Sequence, residues 1–303
     1  MNRRLIAPVL SAVLVWIVFG EVPGRAQSGG AYKVDQNWAR LPAGTTWNGN
    51  TSWITADGKG QVVVLVRTAP YFRVFTRDGA FVKAFGDDGL FQSAHSVTID
   101  GQGVLWVTDS AAHVVHKFSP DGRLLMTLGK KGVAGDNTSR DLFNQPNHVA
   151  LAPNGDIYVS DGYVNARVVH FSRDGQFVRV VGGVKGSQPG QLQLPHGVAL
   201  DSRGRILIND SDNRRVSVFD KDGKFVEAWP FASRGGISVA ADDTVYISDV
   251  NAGIVNIVKN GKLIDSVKAE RAHGMGIDSD GSIYVSGASR MTVMKIMKGG
   301  STR

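Results

Sequence analysis

The sequence predicts an all-β fold, a six-bladed β-propeller. Three observations predict it. A unit of four short strands recurs six times along the chain. The turns inside each unit are short and rich in Asp and Gly, and 37 of the 303 residues are glycine, which suits many tight turns better than long helices. The last unit is one strand short, and a strand-like stretch ahead of the first unit can supply it.

The chain opens with a short positive region, Asn2-Arg3-Arg4, then the apolar stretch Leu5 to Gly20, then Gly24-Arg25-Ala26 as a small-x-small site before Gln27. That is the layout of a secretory signal peptide. Residues 1–26 are therefore expected to be removed on export, leaving 27–303 as one propeller domain in the periplasm or outside the cell. An uncleaved membrane anchor is the competing reading of the same stretch, and no later segment is apolar enough to span. The remainder has an ordinary soluble composition, 42% hydrophobic and 20% charged, enough for a sizeable core without staples. There are no cysteines, so disulfides, thiolate metal sites and a cysteine nucleophile are excluded. The net charge is +7, but Lys and Arg are scattered rather than clustered, so nucleic acid is not an expected partner. No membrane contact beyond the N-terminal segment is expected, and the protein is expected to act as a monomer.

The clearest unit runs from Leu194 to Trp229. Gly197–Leu200 is its first strand, and Ile206–Ile208 follows the turn Ser202-Arg203-Gly204. Val216–Phe219 follows a longer loop, and Phe225–Trp229 follows the turn Lys221-Asp222-Gly223. Alternating β-branched and aromatic residues between Gly and Asp turns are the strand signal here. Ala94–Gly129 and Pro146–Gly182 repeat the pattern closely, Gly235–Val267 and Ala272–Met297 more loosely, and Ser52–Gly86 is the most divergent copy. After Thr292–Ile296 only a Gly-rich tail remains. Ala31–Asp35, with Tyr32-Lys33-Val34, is therefore assigned to complete the last blade and tie the ring shut.

In such a blade the start of strand 1 and the loop between strands 2 and 3 share one face. That face also carries the long links Lys130–Gln145 and Gly183–Gln193, and irregular loops on a rigid scaffold are where function concentrates. Aligning the six units at the start of strand 1 gives a column of Ser52, His95, Asn147, His196, Gly235 and His273. A lone histidine there would be read as packing near the channel mouth. Three among only 7 in the chain, on alternate blades about 120° apart, are read as metal ligands around an open position, the donor set of a catalytic zinc. The other four, His113, His116, His148 and His170, are read as surface or packing residues. Asp109, Asp161, Asp210 and Asp249 recur before the 2–3 loops and are read as loop closures.

Tyr163 stands in the 2–3 loop of the third unit and does not recur. Beside a metal it is either a general base or an aromatic lid. Arg67 begins the 2–3 loop of the first unit, and Arg271 lies two residues before His273. An arginine beside such a centre suits a carboxylate, which it grips with two parallel hydrogen bonds; solvated surface arginine is the alternative for each.

Several stretches carry a resemblance. They are Trp38-Ala39-Arg40-Leu41-Pro42, Leu105 to Asp109, His113 to Phe118, Gly155 to Arg167, Pro189-Gly190-Gln191 and Pro195-His196-Gly197. With these, the chain from about Tyr32 to Ile296 resembles the peptidyl-α-hydroxyglycine α-amidating lyases, within the wider group of NHL-repeat propellers. The resemblance implies a zinc held by His95, His196 and His273, Tyr163 as base, and Arg67 as an active-site arginine. It also implies cleavage of a C-terminal α-hydroxyglycine to a peptide amide and glyoxylate, so the expected partner is a small-molecule or peptide C-terminal substrate.

Three departures stand out. Gly274 replaces an acidic calcium ligand, which puts a structural calcium in doubt. Ser211 replaces a second active-site arginine, whose charge Arg271 is a candidate to supply. Asn144 and Val164 stand where the family has a disulfide. A non-catalytic NHL propeller that binds protein or cell-envelope ligands through its loop face is the alternative function. A calcium-dependent lactonase-type propeller would need central carboxylates, and the histidine column argues against it.

Overall fold

The computed structural model describes residues 32–87, 89–231, 234–287 and 291–299. The 1–26 segment read as a signal peptide lies outside the described residues. The described strands form six antiparallel four-stranded sheets. Blade 1 comprises β2 (Thr51–Ala56), β3 (Gln61–Val66), β4 (Phe72–Thr76) and β5 (Phe81–Phe85). Blade 2 comprises β6 (Ala94–Ile99), β7 (Leu105–Asp109), β8 (Val114–Phe118) and β9 (Leu124–Leu128). Blade 3 comprises β10 (His148–Leu151), β11 (Ile157–Asp161), β12 (Arg167–Phe171) and β13 (Phe177–Gly182). Blade 4 comprises β14 (Pro195–Leu200), β15 (Ile206–Asp210), β16 (Arg215–Phe219) and β17 (Phe225–Trp229). Blade 5 comprises β18 (Ile237–Val239), β19 (Val245–Asp249), β20 (Ile254–Lys259) and β21 (Lys262–Lys268).

Blade 6 comprises β22 (Ala272–Ile277), β23 (Ile283–Gly287) and β24 (Val293–Lys298), and its outer strand is β1 (Tyr32–Asp35). Tyr32 pairs with Lys298 and Asp35 with Lys295, so the chain's beginning closes its last sheet; Ala31, included in the expected seam, lies outside the described residues. Closure removes the free sheet edge that an incomplete last blade would present.

Each blade has two apolar faces, because it is sandwiched between two neighbours. The core accordingly divides into six clusters, one per pair of adjacent blades. Val107 and Phe118 meet Leu65 and Phe72 between blades 2 and 1, and Tyr284 and Val293 meet Ile54 and Val62 between blades 6 and 1. Polar contacts reinforce the closing junction. The Arg77 guanidinium pairs with Asp278 at 2.6 Å, and the Thr51 hydroxyl donates to the Thr292 carbonyl at 3.0 Å.

The turns between strands 3 and 4 use glycine where the backbone is left-handed, as at Gly122 (φ 91°) and Gly175 (φ 79°). The long links on the other face are held by one repeated device. Arg167, fully buried, binds Asp161 at 3.0 Å and donates to the carbonyls of Ser139 and Leu142. Arg215 binds Asp210 at 3.0 Å and donates to the carbonyls of Ser187 and Gln191. The recurrent aspartates therefore close loops: Asp109 accepts from the backbone N–H groups of Gln92 and Ser93, and Asp249 from those of Asn251 and Ala252.

Candidate metal centre and active site

Local backbone geometry explains why the three column histidines face the axis. In blades 2, 4 and 6 the pairing of strands 1 and 2 slips by one residue, between Ala94 and Ser96, between Pro195 and Gly197, and between Ala272 and Gly274. The extra residue at each bulge is His95, His196 or His273. A bulge leaves its residue out of the ladder and re-aims its side chain.

The three imidazoles form a nearly equilateral cluster, with ring centroids 5.1, 5.2 and 5.0 Å apart. All three are buried, and one nitrogen from each lies within 4.8 Å of the others. Each Nδ1 is committed to a backbone carbonyl of the next blade. His95 donates to Asn147 at 2.7 Å, His196 to Gly235 at 3.0 Å, and His273 to Ser52 at 2.9 Å. That fixes the tautomer and leaves each Nε2 as an acceptor. Burial holds the pKa values of His95 and His196 well below the usual histidine range, and that of His273 at about 4. Three neutral imidazoles, locked in orientation and sharing one small space, fit a divalent metal ion: the donors are of the right type and already converge.

Tyr163 closes the cluster from above. Its hydroxyl donates to His95 Nε2 at 2.8 Å and lies 3.4 Å from His196 Nε2. Gly162 makes this position possible: a Cβ there would lie 2.1 Å from the carbonyl oxygen of Pro195, so the loop can lie against the start of β14 only without a side chain. Burial raises the Tyr163 pKa, while the charges of Arg67 and Arg234 oppose that shift.

Arg67 is half-buried, donates to the Ser93 hydroxyl at 3.4 Å, and bears electrostatically on His95, His273 and Tyr163. Arg271 is exposed in a left-handed turn (φ 52°) just before β22. The second arginine whose charge bears on Tyr163 is Arg234, which the sequence reading passed over. It also acts on His196, and it lines a cavity of about 720 Å³ with Ser211, Asp212, Arg214, Asp249 and Asn251.

The floor of the site was not anticipated either. Trp53, buried beneath the histidines, has its ring 5.3 Å from His273, 5.9 Å from His95 and 6.1 Å from His196. Its other face stacks on His148 at 4.6 Å, so this histidine is indeed a packing residue. Below the pair a separate cavity of about 230 Å³ runs along the axis between the first strands of the blades. Gly274, where the resemblance expects an acidic calcium ligand, has no room for any side chain: its Cβ would stand 2.5 Å from Trp53 Cα. An indole fills that part of the axis. The remaining histidines stand away from the centre: the Gln145 N–H donates to His113, His116 meets Thr127, and His170 pairs with Asp156 at 2.9 Å.

Comparison with known proteins agrees with this arrangement. The NHL repeat family matches residues 143–171 and 192–219, within blades 3 and 4 and the links before them. NHL repeat-containing protein 3 of Homo sapiens is 32% identical over 225 residues, covering 69% of this chain and 63% of that protein. A probable peptidyl-alpha-hydroxyglycine alpha-amidating lyase of Caenorhabditis elegans is 29% identical over 243 residues, covering 74% of this chain and 69% of that protein. The peptidylglycine alpha-amidating monooxygenase of Rattus norvegicus is 33% identical over 231 residues, 68% of this chain but 24% of that longer protein. The chain thus spans less than two thirds of the human relative and a small part of the rat one. A streptogramin B lyase structure overlays with a TM-score of 0.62 at 15% identity, covering 89% of this chain and 100% of that one, which is a shared fold. The chain is thus similar to the peptidyl-α-hydroxyglycine α-amidating lyases and to other NHL-repeat proteins, and it shares the six-bladed propeller fold.

Proposed function

We propose that this protein is a zinc-dependent C–N lyase that cleaves a peptidyl-α-hydroxyglycine, or a related carbinolamide, to an amide and glyoxylate. The observation that carries the reading is the convergence of three neutral, buried imidazoles whose Nδ1 atoms are all pinned by carbonyls. When bound by His95, His196 and His273, zinc supplies a Lewis acid for the substrate hydroxyl. The names of the lyase relatives support the same substrate class.

The chain's own groups take the remaining roles. Arg67 holds the substrate carboxylate, with Arg234 or Arg271 as a second cationic contact. Tyr163 Oη accepts the proton of the hydroxyl group. As that proton leaves, the C–O bond becomes a carbonyl, the C–N bond breaks, and the electron pair passes to the amide nitrogen, which takes back the proton that Tyr163 accepted. The charges of Arg67 and Arg234 favour both an ionised Tyr163 and an anionic substrate. Trp53 shuts the site off from the axial cavity below, so substrate enters from the loop face alone. The N-terminal pattern further supports export, with a mature chain beginning near Gln27; mass spectrometry of protein from its native host tests that.

The test of function pairs zinc quantitation with glyoxylate release from an N-acyl-α-hydroxyglycine. Stoichiometric zinc and metal-dependent glyoxylate are expected. Protein that carries no zinc and gains no activity when zinc is supplied overturns the lyase reading in favour of a binding propeller.

A further inference from the structure

Asn147 is the column residue of blade 3, and its side chain has one satisfied end and one orphaned end. Its Oδ1 accepts the N–H of Gly162 at 2.8 Å, which fixes the plane of the amide. Its Nδ2 is fully enclosed and makes no hydrogen bond of ordinary geometry with any described residue. The amide lies beside Tyr163, close enough to favour the ionised form of the phenol. A buried, unpaired N–H₂ group costs about 1–3 kcal/mol, so native proteins keep one only where something else meets it. The same residue's main-chain carbonyl accepts the Nδ1–H of His95. Asn147 therefore touches the metal-ligand cluster through its backbone and faces the Tyr163 hydroxyl with its side chain.

We infer that Asn147 is a further catalytic residue, whose Nδ2 donates a hydrogen bond to the substrate's reacting hydroxyl oxygen. This deepens the lyase reading and rests on it. The hydroxyl oxygen must come within reach of Tyr163 Oη to surrender its proton, and that is the region Nδ2 faces. As the O–H bond breaks, negative charge grows on this oxygen, then drains into the new C=O bond while the C–N pair departs to nitrogen. A fixed donor that is unpaired beforehand gains most at the moment of greatest charge and needs no reorganisation. Gly162 keeps it fixed, because the N–H that anchors Oδ1 belongs to the residue next to Tyr163.

Asn147→Asp and Asn147→Ala, in the full metal-loaded chain, test this. The aspartate keeps an acceptor for Gly162 and replaces the donor with an acceptor, and the alanine removes both. Loss of one such donor is expected to lower kcat by roughly 10²–10³-fold with little change in KM and with metal retained; Tm falls in both variants, since alanine orphans the Gly162 N–H and aspartate buries a carboxylate, so kcat is read well below both Tm values. A non-cleavable α-hydroxy acid, with carbon in place of the scissile nitrogen, should bind both variants about as tightly as wild type by calorimetry, because its hydroxyl carries no growing charge. Variants that retain kcat within twofold, or that lose activity only in step with metal, overturn the assignment. Wild type that is metal-loaded yet neither turns over nor binds the analogue sinks the lyase reading itself; wild type that does both, alongside equally competent variants, sinks only the role of Asn147.

Discussion

Blades 2, 4 and 6 each bring a histidine to the metal-ligand cluster, and blades 1, 3 and 5 bring no ligand. The second set nevertheless determines what the first can do. Every imidazole is oriented by a carbonyl from an odd blade: Asn147 of blade 3, Gly235 before blade 5, and Ser52 of blade 1. The reverse contacts alternate just as regularly. The hydroxyls of Ser52, Ser160 and Ser248, all on odd blades, donate to the main-chain carbonyls of His95, His196 and His273. The ring thus divides into ligand blades and orienting blades. The comparison teaches that a metal centre can be half-built from backbone atoms: at Ser52, Asn147 and Gly235 the main-chain carbonyl orients an imidazole, whatever the side chain does beside it.

Breaking a ligand blade should have the largest effect. His196→Ala removes one of three donors and leaves no protein group to replace it among the described residues near the cluster. Loss of stoichiometric metal and of all metal-dependent glyoxylate release is expected, with the six-bladed fold retained by circular dichroism. Full metal occupancy in this variant would mean that the triad is not the site. Tyr163→Phe comes next. It removes the hydroxyl that bridges the His95 and His196 rings but leaves every imidazole anchored. Metal should be retained and kcat should fall by roughly 10²–10⁴-fold, the usual worth of a general base; an undiminished kcat would make Tyr163 a lid.

Much of this was legible in the sequence, and the limits have a physical cause. The repeat fixed each residue's place within its own blade, so the histidine column and the strand exchange at the seam could be read directly. Contacts across the ring could not, because they depend on how far each first strand reaches toward the axis. The next column held the missing signal. After Ser52, His95, Asn147, His196, Gly235 and His273 come Trp53, Ser96, His148, Gly197, Gly236 and Gly274. Two large rings stand among four small residues, and the structure stacks those two rings on each other in the space the small ones leave. Arg234 was invisible for a different reason: it sits in a link between blades, where the repeat imposes no register.

An orienting blade should be breakable without touching a ligand, at a smaller cost. A Cβ on Gly235 would lie 2.3 Å from the Ser248 hydroxyl and 2.4 Å from the Ser248 carbonyl oxygen, so Gly235→Ala must move the backbone that receives the His196 Nδ1–H. Disturbing such an outer partner typically costs 10–100-fold in metal affinity. Competition with a chromogenic chelator measures it. Affinity equal to wild type would show that the odd-blade carbonyls are spectators.

The smallest effect concerns the plug that two orienting blades build beneath the ligands. His148 is buried against Trp53, and burial pushes its pKa down to about 3. The unfolded chain binds a proton on this histidine near pH 6.5, while the folded protein refuses it until about pH 3. The stabilisation that comes from keeping it neutral is complete above about pH 6.5 and is lost progressively as pH falls from there toward 3, at up to ~1.4 kcal/mol per pH unit. The ligand histidines add to the acid sensitivity in the same direction, since burial lowers their pKa values too. His148→Phe keeps a ring against the indole and removes one titrating group. Denaturant unfolding of metal-free protein at pH 5 and pH 7.5 should therefore show a shallower loss of stability in the variant than in wild type, by about 1–2 kcal/mol over that interval once the portion above pH 6.5 is discounted. At pH 7.5 the variant should be the less stable of the two, because it loses the contact between Nδ1 and the Val198 carbonyl at 3.1 Å. Equal slopes in the two proteins would mean that His148 takes up its proton in the folded state, and that the plug admits water from the axial cavity.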